Sequence, residues 1–574
     1  MRLSNLISSV HSEHKNIKVN NICFNSKGVK KDDIFFAIPG TKINGEKFIN
    51  EAINKGASAV VCRKKFKDKL KYKNFIQVED VRKTLSEACS NYYKKKPKNL
   101  LAVTGTNGKT SVAHFFNQIL KHNRVNVASI GTLGVQSKKF NQSTNLTTID
   151  PLLLHKILEK LKNKKINNVI IEASSHGLDQ KRLNNLKFRC GIFTNLSHDH
   201  LDYHKTMKNY LNSKMYLFNS LLNKSSKVIT DQNNKEFYKL KKICNKKKLK
   251  LETIGFANSN LKILNHNYQG KNQIIKLSFK SKIYHLKIPL IGFIQCKNLL
   301  MSILAAHSIG IKFEKIIKII EKLKPVDGRL ECITELNNNS KIILDFAHTP
   351  DALEQTLKAI KEHFRKNISI IFGCGGERDK NKRPIMGDIA KKYCKKIYIT
   401  DDNPRTENPS KIRKSIIRQR NKCIEEIPNR KKAIIKGIKD LKSNEILLVA
   451  GKGHESVQDY GKIKIKFSDK EVIKKIVKKR KKELKNYSWK FDILKNSLKK
   501  SNINKFKFNK ISINSNQIKK NNLFVAIKGK KNNGHYFVKS ALSKGASRSI
   551  VSNRIKNVSN FRQIKVPNTL NALK

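Results

Sequence analysis

The sequence lacks the features of a secreted, zinc-binding or membrane-spanning protein. Its ten cysteines form no C-x-x-C pair and no regular spacing, which argues against a disulfide framework or a zinc site and is typical of reduced thiols in a cytoplasm. No apolar run of about 18 residues occurs, as a membrane-spanning helix would need. The opening residues, Met1-Arg2-Leu3-Ser4-Asn5, lack the apolar core of a signal peptide. We therefore expect a cytoplasmic protein with no membrane partner.

Acidic and aromatic residues are also scarce. The 574 residues include 43 acidic and 121 basic side chains, for a formal net charge of +78, and 7% of them are aromatic. Such a charge favours a nucleic-acid partner, so a basic nucleic-acid-binding ATPase is kept as the alternative from a different class. However, lysine is spread through almost every segment together with asparagine and isoleucine, as an A/T-rich genome produces. No zinc-finger or RNA-binding motif occurs, and we expect no nucleic-acid partner.

The most informative motif that is present is a glycine-bearing turn. The apolar run Leu101-Ala102-Val103 predicts a buried strand, and Gly105-Thr106-Asn107-Gly108-Lys109-Thr110-Ser111 follows it and opens a predicted helix, residues 111–120. Glycines let backbone N–H groups surround a polyphosphate, the lysine neutralises its outer phosphates, and the threonine hydroxyl can ligate Mg²⁺. Only two residues separate Gly105 from Gly108, so a plain glycine turn is the alternative. The strand–loop–helix order favours ATP binding.

Other polar motifs also follow short apolar runs. The runs and their motifs are 169–171 with 172–177, 342–344 with 345–351, 368–372 with 373–379, 397–399 with 400–405 and 446–449 with 450–455. Short strands that alternate with lysine-rich helical stretches are typical of parallel α/β sheets. Such sheets bind their ligands at the carboxyl ends of the strands, so we expect these motifs to form the site.

The two ends of the chain share a repeat. Asn25-Ser26, Gly40, Asn44-Gly45 and 56–58 recur as Asn514-Ser515, Gly529, Asn533-Gly534 and 545–547, always 489 positions later. Because the units of a solenoid adjoin one another, copies so far apart indicate duplicate domains. We expect residues 491–574 to be a truncated second copy of the opening domain, preceded by a charged helix and linker.

Seven motifs follow one another at 104–110, 172–177, 195–204, 345–351, 378–384, 402–405 and 451–455. Their residues and order resemble those of the Mur ligases, the ATP-dependent ligases of peptidoglycan synthesis. The resemblance is greatest to members that add the third residue of the stem peptide, while the tail is similar to the opening domain of the member that acts next. It implies a three-domain α/β fold with a UDP-substrate domain (1–95), a central P-loop ATPase domain with a parallel sheet (96–328) and a Rossmann-like amino-acid-binding domain (329–490). The partial α/β domain at 491–574 would follow.

The resemblance also implies a site for ATP and Mg²⁺. The expected ATP contacts are Gly105, Thr106, Asn107, Gly108, Lys109, Thr110, Ser111, Asn298, Arg329 and Asp345, with His348 nearby and Gln295 where the family commonly has asparagine. The expected metal ligands are Thr110, Glu172, His200 and Lys214, and the family carbamylates the lysine at that last position to N6-carboxylysine. Lys109, His200 and Lys214 would be catalytic, and Asp199 and His204 would orient the ligands.

Two further sets of contacts follow from the same resemblance. For the UDP-linked peptide they are Ser26, Thr147, Thr148, Ser174, Gln180 and Arg182, although Asn25-Ser26-Lys27 differs from the family's Asp-Ser-Arg, and Thr147-Thr148 could instead form a local turn. For the incoming amino acid they are Arg383, Asp402, Asn403, Pro404, Arg405, Gly451 and Glu455. Asp-Asn-Pro-Arg marks members that use meso-diaminopimelate, whose extra carboxylate suits the planar fork of arginine.

The expected activity is therefore ATP-dependent addition of meso-2,6-diaminopimelate to UDP-N-acetylmuramoyl-L-alanyl-D-glutamate through an acyl phosphate, by a monomer that acts on small molecules. A lysine-adding ligase is the nearer alternative and is disfavoured by Arg405. A folylpolyglutamate-type ligase would lack both the Asp-Asn-Pro-Arg segment and a UDP-binding domain.

Overall fold

The computed structural model describes residues 1–40, 43–66, 72–336, 338–417, 422–498, 503–529 and 532–573. The chain divides into two compact units, Met1–Lys470 and Glu471–Lys574. No helix in the described ranges is both long enough and apolar enough to cross a bilayer.

The first unit begins with a small parallel sheet. Its strands are β1 (Ile22–Cys23), β2 (Ile34–Phe36), β3 (Ala59–Arg63) and β4 (Phe75–Val78), in the order β1-β2-β3-β4. The helices are α1 (Ile49–Asn54) and α2 (Val81–Tyr92). The strand residues Ile34, Phe35 and Phe36 are all buried, because apolar clusters cover both faces of the sheet.

A ten-stranded sheet follows, with strand order β14-β13-β12-β11-β10-β9-β5-β8-β6-β7. The strands are β5 (Asn99–Thr104), β6 (Val127–Gly131), β7 (Gly134–Ser137), β8 (Asn168–Glu172), β9 (Phe188–Phe193), β10 (Leu222–Asp231), β11 (Lys250–Gly255), β12 (Leu261–Gln269), β13 (Asn272–Phe279) and β14 (Lys282–Ile288). The helices are α3 (Lys109–His122), α4 (Pro151–Asn163), α5 (Ser175–Asp179), α6 (Leu201–His204), α7 (Met207–Tyr216), α8 (Phe237–Lys247), α9 (Phe293–Ser308) and α10 (Phe313–Ile317).

Strand β5 lies inside this sheet, parallel to both β9 and β8. Successive strand side chains point to opposite faces, and here Leu101 and Val103 join one apolar cluster while Leu100 and Ala102 join the other. Burial on both faces explains why the sequence shows a continuous apolar run instead of an alternation. The strand carries the glycine-bearing turn at its carboxyl end.

A six-stranded sheet completes the first unit, in the order β15-β16-β20-β17-β18-β19. Its strands are β15 (Glu331–Glu335), β16 (Lys341–Asp345), β17 (Ile368–Phe372), β18 (Lys396–Ile399), β19 (Ile424–Glu426) and β20 (Ile446–Ala450), followed by the hairpin β21 (Val457–Asp459) and β22 (Lys464–Lys466). The helices are α11 (Pro350–Phe364), α12 (Lys382–Tyr393), α13 (Pro409–Ile416) and α14 (Arg430–Asp440). All neighbours except β15 and β16 are parallel, so the polar motifs after β16, β17, β18 and β20 share one edge.

Helix α15 (Asp469–Ser497) leads into the second unit, whose strands are β23 (Ile511–Ser512), β24 (Leu523–Val525), β25 (Arg548–Val551) and β26 (Gln563–Lys565), with helix α16 (Val538–Ser543). The four strands are parallel and pair in sequence order, as β1 to β4 do. The repeated sequence therefore forms the same small sheet twice, and the predicted α/β class is confirmed.

Candidate functional site

The turn after β5 has the conformation of a phosphate-binding loop. Gly105 and Gly108 have φ angles of 147° and 90°, in a region that residues with a Cβ rarely adopt. A Cβ on Gly105 would lie 1.9 Å from Thr194 Oγ1, and one on Gly108 would lie 2.6 Å from Asn298 Oδ1. Helix α3 begins at Lys109 and Gly108 supplies no side-chain cap, so the first N–H groups of the helix are available to an anion.

Lys109 is folded back over this loop. Its Nζ donates hydrogen bonds to the carbonyl oxygens of Gly105, at 2.9 Å, and Thr106, at 2.8 Å. Burial lowers the pKa of the Lys109 ammonium, while the Glu172 carboxylate acts in the opposite direction. A buried ammonium that is satisfied mainly by carbonyl groups gains from a polyphosphate, which would supply the missing negative charge.

Glu172, at the end of β8, lies beside the loop because its neighbour across the sheet is Val103 of β5. Its Oε2 accepts hydrogen bonds from Thr110 Oγ1 at 2.9 Å and Thr132 Oγ1 at 3.1 Å, and its Oε1 accepts from the Thr132 backbone N–H at 3.0 Å. Burial raises the pKa of Glu172. A divalent cation at Thr110 and Glu172 would compensate the buried charge, so this donor pair fits Mg²⁺.

Lys214, on α7, is 1% exposed. Its Nζ donates to the Gly105 carbonyl oxygen at 2.8 Å and lies 4.2 Å from the centre of the Tyr210 ring. Burial, and then the charge of Lys109, lower the pKa of Lys214 well below its ordinary value. Within the described part of the chain, Lys214 forms no ion pair. A buried amine with a lowered pKa is the state of lysine that reacts with CO₂.

His200 lies beside the loop in a left-handed backbone conformation, with φ 54°. The Asp199 carboxylate accepts a hydrogen bond from the His200 backbone N–H at 2.9 Å and lies 3.4 Å from His200 Nε2, so Asp199 orients the residue. The His176 ring centre is 4.8 Å from that of His200 and 5.4 Å from that of His204. Among the described residues, no three His, Cys, Asp or Glu side chains converge on a single metal position. Any metal here would need oxygen ligands from the substrates or from a carbamylated Lys214.

The residues expected around the nucleotide base lie on segments that connect the ten-stranded sheet to the six-stranded sheet. Asn298 is on α9, and Arg329 precedes β15. Asn298 Oδ1 is buried beside Gly108, and neither it nor Arg329 Nε has a hydrogen-bond partner among the described residues. The Arg329 guanidinium lies 4.4 Å from the centre of the Phe346 ring. Unpartnered buried polar atoms are uncommon, so these two groups are suited to bind a ligand.

Asp345 and His348 are engaged by their own chain. Asp345 accepts hydrogen bonds from the backbone N–H groups of Leu330 at 2.6 Å and Ala347 at 2.7 Å. Burial raises the pKa of Asp345, although the neighbouring Arg329 opposes this. Asp345 therefore holds the Arg329 segment against the end of β16. The His348 ring donates a hydrogen bond from Nδ1 to the Phe346 carbonyl oxygen at 2.9 Å. The Oε1 atom of Gln295 is buried and has no hydrogen-bond partner among the described residues.

A network joins four of the expected contacts for the UDP-linked peptide. Thr148 Oγ1 donates to the Glu172 carbonyl at 2.7 Å and accepts from the Ser174 N–H at 2.8 Å, so its hydroxyl bonds to a distant strand end, not within its own turn. Arg182 donates to the Thr148 carbonyl and, at 2.6 Å, to Gln180 Oε1. Thr147 Oγ1 lies 3.1 Å from Thr132 Oγ1.

Ser26 lies apart from this network, after β1. Its hydroxyl donates to Glu51 Oε2 at 2.7 Å, and Lys55 Nζ donates to its carbonyl oxygen at 3.2 Å. Asn25 caps the next turn by accepting from the Lys27 N–H. The Asn-Ser-Lys segment is thus held in place by Glu51 and Lys55.

The residues expected to bind the amino acid meet at the shared edge of the six-stranded sheet. Arg383 is 3% exposed and donates to both oxygens of Glu407, at 3.1 and 2.9 Å. Arg405 has φ 53° and donates to the Gly376 carbonyl at 2.7 Å. Both guanidiniums retain further N–H groups for a carboxylate.

Asp402, Pro404 and Gly451 lie where loops after β17, β18 and β20 approach one another. Gly451 has φ 107°, and a Cβ there would lie 2.6 Å from Asp402 Oδ2. Burial raises the pKa of Asp402, and the nearby Arg430 opposes this. The Pro404 carbonyl lies close enough to Gly376 that a Cβ there would be 1.9 Å from it. The glycines therefore let three loops approach one another.

Two residues that contact the expected site residues, Arg82 and Asp351, were not singled out from the sequence. Arg82, on α2, donates to Gln180 Oε1 at 3.4 Å and to the Pro39 carbonyl at 2.7 Å, which links the first sheet to the peptide contacts. Asp351, on α11, accepts from Asn107 Nδ2 at 3.0 Å. Asp351 is the last residue of the motif 345–351, which the sequence did show. Its contact with Asn107 could not be predicted, because the two residues are 244 positions apart.

Three family models match the chain. They describe the Mur ligase family catalytic domain over residues 18–93, the Mur ligase middle domain over 103–306 and the Mur ligase glutamate ligase domain over 328–453.

Curated relatives and solved structures agree with these matches. UDP-N-acetylmuramoyl-L-alanyl-D-glutamate–2,6-diaminopimelate ligase from Rickettsia montanensis is 42% identical over 484 residues, which cover 83% of this chain and 99% of the relative. A solved structure of a ligase with the same name is 27% identical, has a TM-score of 0.62 and covers 84% of this chain and 99% of its own. The MurF ligase of Thermotoga maritima, solved with ADP, shares the fold at 18% identity and a TM-score of 0.54, covering 81% of this chain and 98% of its own.

Proposed function

Since the chain belongs to the Mur ligase family, we propose that it joins meso-2,6-diaminopimelate to UDP-N-acetylmuramoyl-L-alanyl-D-glutamate at the expense of ATP, in peptidoglycan precursor synthesis. The resemblance and the three-domain fold expected from the sequence are confirmed by the family models and the solved structures. The reaction is the one for which the curated relatives are named. Within the structure, the observation that carries the proposal is that Arg383 and Arg405 donate to the adjacent carbonyls of Gly375 and Gly376. Glu455 is tied to the Arg405 loop through the hydrogen bond from Asn403.

The loop residues would bind and orient ATP. The N–H groups at the start of α3 and the Lys109 ammonium would hold the outer phosphates, where they stabilise charge that develops during phosphoryl transfer. Asn298 and Arg329, with their unpartnered polar atoms, would contact the base and ribose, and Asp345 would hold Arg329 in place. Thr110 and Glu172 would hold one Mg²⁺ and His200 a second, with a carbamylated Lys214 as a further ligand. When bound, these ions would neutralise the phosphates and the substrate carboxylate.

The chemistry then runs between the two substrates. A carboxylate oxygen of the UDP-linked peptide attacks the γ-phosphorus, ADP leaves, and the acyl phosphate forms. The amine of diaminopimelate attacks the acyl carbon, phosphate leaves, and the amine loses a proton. Thr148, Ser174, Gln180 and Arg182 would position the peptide for the first step.

We also propose the roles of the segments. Residues 1–95 would bind the UDP moiety through Ser26, 96–328 would bind ATP, 329–490 would bind the amino acid, and 491–574 would be a partial copy of the first. The monomeric state and the cytoplasmic location stay predictions.

An ADP-release assay tests the function. We expect release with UDP-N-acetylmuramoyl-L-alanyl-D-glutamate and meso-diaminopimelate, and much less with L-lysine or without an amino acid. Equal release in all three would contradict the ligase assignment, and efficient use of L-lysine would overturn the choice of amino acid. A salt titration of binding to random DNA separates the nucleic-acid alternative, which requires a steep dependence on salt.

Replacing Arg405 with alanine is expected to impair the use of meso-diaminopimelate much more than ATP affinity. Leaving a ligand carboxylate without its charged partner should cost about 2–5 kcal/mol, measured as the fall in kcat/KM for the amino acid. Arg365→Ala is the matched control, because Arg365 is exposed on the far end of α11 and has nearly the same φ, 52°. A similar loss in both variants would mean that backbone strain, not carboxylate binding, explains the effect.

Truncation after Tyr487 is expected to leave tripeptide synthesis intact. The second unit repeats the opening sheet and, in its described residues, has no phosphate-binding loop and no metal ligands. The Rickettsia montanensis relative, matched over 99% of its length, accounts for 83% of this chain, which supports reading the tail as an addition. The same ADP-release assay measures the outcome, and a large loss of activity in a folded truncated protein would contradict it.

A truncation that removes more of the chain, ending at Ser468, is the control and is expected to destabilise the protein. It removes Asp469, whose carboxylate accepts hydrogen bonds from Arg430 at 2.8 and 2.7 Å while both side chains are fully buried. Leaving the Arg430 guanidinium buried without its partner should cost about 3–5 kcal/mol of the free energy of unfolding.

A further inference from the structure

Lys452 belongs to the segment Gly451-Lys452-Gly453-His454-Glu455, and its side chain is fully buried. The reaction proposed above assigns no role to Lys452. Its Nζ donates to Asn403 Oδ1 at 3.0 Å, to Glu455 Oε2 at 2.9 Å and to the Val457 carbonyl at 2.7 Å. An ammonium group has three donors, so none is left for a ligand. Any role of Lys452 must therefore act through its three acceptors.

Glu455 is held by one of its two oxygens. Its Oε2 accepts from Lys452 Nζ and also from Asn403 Nδ2 at 2.9 Å. No described residue donates to Oε1, and the side chain is 35% exposed. Burial raises the pKa of Glu455, but Lys452 and Asn403 outweigh burial and hold it below the ordinary value. Glu455 therefore presents an ionised oxygen with its orientation already set.

Lys452 and the Asp459 backbone N–H together set the orientation of the Asn403 amide. Asn403 Oδ1 accepts from Lys452 Nζ and from the Asp459 backbone N–H at 3.0 Å. With its oxygen facing two donors, the amide must turn its NH₂ group towards Glu455. Removing Lys452 would leave Glu455 held only by the Asn403 amide, and Asn403 Oδ1 held only by the Asp459 N–H.

We propose that Lys452 is a positioning residue for the amino-acid pocket: it fixes Glu455 and Asn403 so that Glu455 Oε1 accepts a hydrogen bond from an ammonium group of the incoming diamino acid. This inference rests on the proposed function. The benefit is preorganisation, because a carboxylate that is already oriented loses less conformational freedom on binding. Lys452 itself does not touch the substrate.

Kinetics of Lys452→Met test the proposal. The KM for meso-diaminopimelate should rise at least about 30-fold, as expected for a lost charge-assisted contact, while the KM values for ATP and the UDP-linked peptide stay within about threefold. Lys341→Met is the matched control. Lys341 is also buried, at 5% exposure, and paired with Glu335, but it lies at the opposite end of β16 from the pocket. It should leave the KM for the amino acid unchanged.

A double-mutant cycle with Glu455→Gln separates positioning from general destabilisation. If Lys452 acts through Glu455, the double variant should be no worse than Glu455→Gln alone. Additive losses would overturn the proposal, as would a normal KM for the amino acid in Lys452→Met.

If Lys452→Met does not fold, Lys452→Arg replaces it, because arginine keeps the charge but cannot place three donors on one nitrogen. Its KM for the amino acid should rise at least about tenfold, and an unchanged value would overturn the proposal. Different results would contradict the proposed ligase function and the positioning role of Lys452. A parent enzyme without diaminopimelate-dependent ADP release overturns the proposed function and this inference together, whereas an active parent with a normal variant overturns only the role of Lys452.

Discussion

Ligation by Lys109→Ala is expected to fall by at least about 10²–10³-fold, the loss seen when one preorganised donor to a developing charge is removed. Lys109 Nζ now bonds the Gly105 and Thr106 carbonyls above the loop, so it is in place to move onto the outer phosphates of ATP. The measurement is the rate of ADP release at saturating substrates. Binding of the UDP-linked peptide should persist, because Thr148, Ser174 and Arg182 do not contact Lys109.

Lys121→Ala is the control for this substitution. Lys121 lies in the last turn of the same helix, α3, about 18 Å along the axis from Lys109 at 1.5 Å per residue. It should retain the parent rate. Near-normal turnover of Lys109→Ala would show that the loop is a structural turn.

Lys214→Ala is expected to be nearly inactive and to recover partly with formate or acetate. The parent side chain is a buried amine beside the loop, where the proposed metal site would need an anion, and carbamylation by CO₂ would supply that anion. Alanine leaves a space that a small carboxylic acid can fill. The measurement is ADP release with and without the acid, and the expected loss is again at least about 10²-fold.

The carbamate itself can be observed by ¹³CO₂ labelling of the parent. Because burial lowers the pKa of Lys214, the neutral amine that adds CO₂ is available at a lower pH than for an exposed lysine, and the label should decrease as the pH falls through that pKa. Lys208→Ala, on the exposed face of the same helix α7, should keep both label and activity. An unlabelled Lys214 in a fully active enzyme would refute the modification.

The loop and the strands were predictable because their causes are local. Glycines at 105 and 108 adopt backbone angles that other residues avoid, and the run 101–103 is apolar because β5 is buried on both faces. The repeat was equally plain in the sequence, since Asn25 and Asn514 cap the same short turn in the two copies. Asn44 and Asn533 likewise cap a second matching turn. The order of the strands in the ten-stranded sheet had no such signal, because it depends on which segments pair over long distances.

The site residues divide in the same way. Lys214 was identified by its place in a family motif, and its sequence neighbours give no sign that it is buried against Gly105, 109 positions away. The Lys452 contacts to Asn403 and the Asn107 contact to Asp351 had no sequence signal at all.

The sequence was enough to predict the phosphate-binding loop, the α/β class, the duplicated end domain and the order of the family motifs, because each depends on backbone preferences and side-chain types within a short stretch. It could not predict which side chains meet or how burial shifts their pKa values, because both depend on the folded chain. Glu172 accepts hydrogen bonds from Thr110 and Thr132, and both partners are distant in the sequence. Lys214 donates to Gly105, and Lys452 donates to Asn403, which are likewise distant. The free-energy difference between protonation states depends on that assembled environment, which no single segment contains.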